Sequence, residues 1–139
     1  MERKVIALRG IGNVGKSQTI RKVYELLLTK YPDAIIEDSK IRVDIMVVLK
    51  INGVKIGITS QGDSNERLAN SLKYFLEVDC RIIICATRTY GQTVDAVDNL
   101  HKTYKVIWID QKVEPITSKQ ESINLEMAKR IIEEVEKAL

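Results

Sequence analysis

At 139 residues, 45% of them hydrophobic, the chain suits one domain over residues 1–139 with a single buried core. No apolar run reaches the roughly 18 to 20 residues that cross a bilayer, and Met1-Glu2-Arg3-Lys4 leads straight into a short strand rather than a signal-peptide core, so a cytoplasmic protein with no membrane partner is expected. The net charge of +3 is spread along the chain among interleaved acids, which suits polyphosphates without demanding nucleic acid, and one histidine, His101, leaves almost no material for an imidazole metal site.

Residues 4–8 form an apolar run fit for a buried strand. After a glycine-rich segment, residues 17–30 keep helical spacing through Ile20, Val23, Tyr24, Leu27 and Leu28. Tyr31-Pro32-Asp33 stops that helix. The next element, residues 42–51, alternates Val43, Ile45, Val47, Leu49 and Ile51, and Val54, Ile56 and Ile58 continue the pattern after Asn52-Gly53. Asn-Gly between alternating apolar residues predicts a two-residue hairpin turn. The register then sets Ile51 opposite Val54, Leu49 opposite Ile56 and Val47 opposite Ile58. It also sets Lys50 opposite Lys55, which requires that end to face water.

Asp63 reads as the N-cap of a helix with Glu66 three residues on, and Leu68, Leu72, Phe75 and Leu76 form its buried stripe. Residues 81–86 are the densest apolar run, as expected of a central parallel strand covered on both faces. Cys80 and Cys85, around its ends, match neither a zinc knuckle nor a redox pair and read as buried free thiols. A short helix over 93–102 carries Val94, Val97 and Leu100, with His101 on its polar face. Residues 105–109 give the last strand. Ser118 and Glu121 cap a long final helix whose core face is Met127, Ala128, Ile131, Ile132, Val135 and Leu139. The order of elements predicts an α/β fold: a three-layer α/β/α sandwich, mostly parallel, with one antiparallel hairpin edge.

The chemistry concentrates where the first strand meets the first helix, in Gly10-Ile11-Gly12-Asn13-Val14-Gly15-Lys16-Ser17. Wrapping backbone closely around a phosphate requires N–H groups pointing inward and clearance that only glycines give. Lys16 adds a positive charge for β- and γ-phosphates, Ser17 offers a hydroxyl to Mg²⁺, and the helix that follows turns its positive end to the anion. These residues resemble the Walker A motif of the P-loop NTPase superfamily. The resemblance implies binding of Mg²⁺ with a nucleoside triphosphate and, usually, phosphoryl transfer; it does not identify the acceptor. The candidate nucleotide-binding residues are Gly10, Gly12, Asn13, Val14, Gly15, Lys16, Ser17 and Gln18.

Other parts of that pattern are harder to place, because no apolar strand ends in a plain aspartate. Residues 54–63 look like the small-GTPase segment that runs into Asp-x-x-Gly, but Thr59 stands where the aspartate would be. Gln61-Gly62-Asp63 is the remaining candidate for positioning water or a metal-bound water, so Asp63 is a candidate catalytic and metal residue with Ser17, and equally a plain helix cap. Asp44, opposite the main apolar stripe of the hairpin, reads as a solvated strand residue. The Asn-Lys-x-Asp of GTPases is missing at 86–89 and at 109–112, which favours ATP over GTP. Residues 87–93 leave the central strand at its carboxyl end, the edge where open α/β sheets bind ligands, with four side-chain hydroxyls and Arg88. Arg88 is the candidate for the moving phosphoryl group, beside Lys16, and an exposed loop arginine is the competing reading. Three functions follow: an ATP-dependent phosphotransferase or ATPase, a nucleotide-sensing module with little or no turnover, and, on the mild basic charge alone, an ATPase acting on nucleic acid.

Overall fold

The computed structural model describes residues 2–11, 15–61 and 65–139, with three strands in succession between the first two helices. In chain order the elements are β1 Lys4–Arg9, α1 Lys16–Lys30, β2 Ile35–Ile41, β3 Ile45–Ile51, β4 Val54–Thr59, α2 Asn65–Glu77, β5 Ile82–Thr87, α3 Gln92–Asp98, β6 Lys105–Asp110 and α4 Thr117–Glu136. The strands make one mixed sheet in the order β2-β3-β4-β5-β1-β6. β1 runs parallel to β5 and β6, β4 runs parallel to β5, and β3 is antiparallel to both β2 and β4.

Helices cover both faces of the sheet. Ile6 and Leu8 of β1 and Ile82, Ile84 and Ala86 of β5 pack on one face with Ile20, Val23 and Leu27 of α1 and with Met127, Ile131 and Val135 of α4. Val5, Ala7, Ile83 and Cys85 point to the other face, against Leu68, Leu72 and Phe75 of α2 and Val97 of α3. This two-sided burial is why β1 and β5 are continuous apolar runs rather than alternating ones. Cys80 and Cys85 are buried and free, and burial pushes both thiols up to about 12.

The β3–β4 hairpin has the register its sequence implies, Val47 opposite Ile58, Leu49 opposite Ile56 and Ile51 opposite Val54. Asn52 and Gly53 both adopt positive φ, 51° and 80°. Lys50 does lie opposite Lys55, both half-buried beside the exposed turn of Asn52 and Gly53. The pair is accommodated because Lys55 Nζ donates to the Val78 carbonyl at 3.1 Å and lies 3.7 Å from the Glu37 carboxylate.

Several expectations are corrected. Residues 35–41, which carry no periodic signal, form the edge strand β2, and β3 begins at Ile45 because Arg42 to Asp44 form a bend. The register of β2 shifts between Ile36 and Asp38, and that irregularity breaks the two-residue period. Leu76 is 44% exposed, and Ser71 joins Leu68, Leu72 and Phe75 on the inner face of α2. The helix expected over 93–102 ends at Asp98 and continues as a 3-10 turn, Asn99–Lys102, in which exposed His101 meets the Asp98 carbonyl through Nδ1 at 2.6 Å. The final helix starts at Thr117 with Ile116 as N-cap and no side-chain cap bond, so Ser118 and Glu121 do not cap it. Among the described residues no helix is long and apolar enough to cross a membrane.

Candidate functional site

Arg9, the last residue of β1, pairs with Thr87, the last of β5, and the first turn of α1 opens on the same edge of the sheet. Gly10 carries the join: its N–H donates to the Thr87 carbonyl at 3.1 Å. Gly15 is the N-cap of α1 in the left-handed region, φ 92° and ψ 12°. A Cβ there would also lie 2.7 Å from Asn124 Oδ1, so conformation and clearance both call for glycine. Lys16 is buried, and its ammonium donates to the carbonyls of Gly10 at 2.6 Å and Thr87 at 2.8 Å. The charge is thereby held where β1, β5 and α1 converge. Gly12, Asn13 and Val14 lie outside the described residues.

Ser17 points to a partner the sequence did not suggest. Its hydroxyl donates to Asp44 Oδ1 at 3.3 Å, and the Ser60 hydroxyl donates to the same oxygen at 3.0 Å. Arg67 Nη1 is 3.9 Å from the other carboxylate oxygen. Asp44 is therefore not a solvated strand residue: it sits in the bend before β3, its side chain 24% exposed, aimed at the start of α1. Arg21, one turn along α1 from Ser17, fixes that bend by donating to the carbonyls of Arg42 and of Val43, the latter at 2.6 Å.

On the opposite flank α4 closes over α1. Thr19 donates to Gln111 Oε1 at 3.0 Å and lies 3.2 Å from Asn124 Oδ1, which also accepts from Gln111 Nε2 at 3.2 Å. Gln111 is buried, and its backbone N–H donates to the Arg9 carbonyl at 2.8 Å. This network fixes Asn124 against Gly15. Between the flanks lies a cleft of about 610 Å³, lined on the α1 side by Gly15, Lys16, Ser17, Gln18, Arg21 and Lys22 and on the α4 side by Thr117, Gln120, Glu121 and Asn124, with Val43 at one end. Its size falls within the usual range for small-molecule sites, roughly 300 to 1,000 Å³.

The structure thus brings Gly10, Gly15, Lys16, Ser17 and Gln18 to one edge of the sheet. Arg88 follows Thr87 on that edge; it is exposed, and its backbone N–H donates to Thr93 Oγ1 at 3.0 Å. Thr87 Oγ1 donates to the Arg88 carbonyl at 2.8 Å, so two of the four hydroxyls expected to face a ligand instead shape the loop. Gln61 Oε1 accepts from Ser71 at 2.8 Å, turning that amide oxygen towards α2. Asp63, the candidate catalytic and metal residue, lies outside the described residues.

Sequence reasoning missed Asp44, Arg21, Gln111 and Asn124. Only Asn124 left a trace, as a polar residue in phase with the apolar stripe of α4. Asp44 with Ser17 forms a pair of hard oxygen donors suited to Mg²⁺, which needs only one or two protein oxygens where phosphates and waters supply the rest. Among the described residues no group of three or more His, Cys, Asp or Glu is placed to hold a metal ion. Compared with family models, with curated proteins and with solved structures, the chain finds no match, and its reading rests on its own geometry.

Proposed function

We propose that this chain binds ATP with Mg²⁺ as a P-loop protein built on a three-layer α/β/α sandwich, and that it transfers the γ-phosphoryl group to an acceptor or to water. The observation that carries this reading is the convergence of two pairs at the start of α1: Lys16 held at the ends of β1 and β5, and Ser17 bonded to Asp44. A strand-to-helix turn that bound nothing would have little need to keep a lysine buried at a helix N-terminus, where the macrodipole disfavours a cation.

Each residue has a role that follows from its position. The N-terminal end of α1 turns the backbone N–H groups of its first turn to the phosphates. Lys16 exchanges its carbonyl partners for phosphate oxygens. Ser17 and Asp44 would hold Mg²⁺, which would supply neutralisation of charge on the β- and γ-phosphates. Arg21 is a positioning residue, since it fixes the bend that aims Asp44. Arg88 meets charge developing on the moving phosphoryl group, and Asp63 orients the acceptor or water. The base is adenine rather than guanine, because the Asn-Lys-x-Asp of GTPases is missing at 86–89 and at 109–112.

The test is to incubate the protein with γ-labelled ATP and Mg²⁺ against a panel of nucleosides, nucleotides, small metabolites and oligonucleotides. Label on an acceptor or as free phosphate supports the proposal. Arg88→Ala should then lose on the order of 10³-fold in rate while ATP affinity holds. Intact ATP under every condition overturns the catalytic part and leaves a nucleotide-sensing module.

A further inference from the structure

One stripe runs the length of α4 at helical spacing. Its second half, Met127, Ala128, Ile131, Ile132 and Val135, is buried in the core. Its first half continues in phase as Thr117, Gln120, Glu121 and Asn124 and lines the cleft over α1. A polar occupant of the cleft would meet that half of the face, where Thr117, Gln120 and Glu121 are exposed and Asn124 is half-buried.

The direction of that occupant follows from the Ser17–Asp44 pair. Were that pair to hold a metal ion carried by the terminal phosphates, those phosphates would lie towards Asp44 and leave the α4 flank to the nucleoside. Charge agrees. Lys16, Arg21 and Lys22 are on the α1 side, whereas a carboxylate at 121 repels phosphate and attracts hydrogen-bond donors.

We infer that Gln120 and Glu121 form the nucleoside-reading wall of this cleft, with Glu121 accepting from a donor on the nucleoside, either a ribose hydroxyl or the exocyclic amine. The inference rests on the proposed binding of a nucleoside triphosphate at Lys16 and Ser17. Both side chains are exposed, so substitution leaves the fold intact.

Calorimetry with Mg²⁺ present tests it using four probes: ATP, dATP, purine riboside triphosphate and inorganic tripolyphosphate. Wild type should bind ATP at least about tenfold more tightly than tripolyphosphate, and Glu121→Ala should lose about five- to tenfold for ATP and none for tripolyphosphate. The analogue lacking the recognised donor, dATP for the 2′-hydroxyl or purine riboside triphosphate for the amine, should bind wild type weakly and lose nothing further in Glu121→Ala. Tripolyphosphate bound as tightly as ATP, or ATP affinity unchanged in both Glu121→Ala and Gln120→Ala, overturns this inference and leaves the phosphate site standing. Binding of neither ATP nor tripolyphosphate to wild type overturns the phosphate site, and the wall with it.

Discussion

The Ser17 hydroxyl donates to Asp44 Oδ1 at 3.3 Å, joining the first turn of α1 to the bend that precedes β3 across 27 residues of chain. If the pair holds Mg²⁺, Asp44→Ala should raise the Mg²⁺ concentration needed for ATP binding by about tenfold or more, the usual scale for removing a supporting group at a metal site. ATP binding in the presence of a chelator should change little. Titrating Mg²⁺ at fixed ATP checks it, and an unaltered midpoint contradicts the assignment of Asp44.

Gly15 and Asn124 make a second coupled pair. Gly15→Ala places an L-residue at φ 92° and a Cβ 2.7 Å from Asn124 Oδ1, so urea unfolding should show a loss of about 1 to 2 kcal/mol from conformation plus a further contact penalty. Adding Asn124→Ala should recover the contact part alone. The double variant is then less destabilised than the sum of the two single ones, and strict additivity contradicts the contact.

How much of this was legible in the sequence depends on where the deciding interaction lies. The β3–β4 register was readable because Asn52-Gly53 fixes it locally and Val47, Leu49 and Ile51 share a face. β1, β5 and the inner face of α4 were readable because each buries a continuous apolar pattern. β2 was not, because it is an edge strand whose Ile35, Ile36 and Ile41 are about half exposed and whose irregular register disrupts alternation. At the site, the glycines with Lys16 and Ser17 are contiguous and carry their chemistry in their order. Asp44, Arg21, Gln111 and Asn124 join them only through tertiary contact, which no spacing reveals.

The ends of α1 and α4 are joined by a pH-sensitive contact. Glu136 lies 2.7 Å from Lys30 and accepts from the Tyr31 hydroxyl at 2.6 Å. Lys30 first and Tyr31 second hold the Glu136 carboxyl below its ordinary 4.5, while the bond to Glu136 pushes the Tyr31 phenol from 10 up to about 12. A carboxyl lowered in the native state contributes stability above 4.5 that is lost as pH falls through its native value. A phenol raised in the native state contributes below pH 10 and loses that contribution as pH rises from 10 to about 12. Glu136→Gln should therefore flatten stability on both limbs when urea midpoints are followed across pH. An alkaline limb identical to wild type contradicts the coupling.

The proposed phosphate site rests on the buried ammonium of Lys16. The direct measurement is calorimetric titration of ATP with Mg²⁺ into wild type and Lys16→Ala, with circular dichroism confirming that both are folded. Losing a charge-assisted contact to phosphate should cost about 1.5 to 3 kcal/mol, so the variant should bind one to two decades more weakly. Equal affinities in the two proteins, or no binding by folded wild type at millimolar ATP, contradict the claim that this chain is a nucleoside-triphosphate-binding protein.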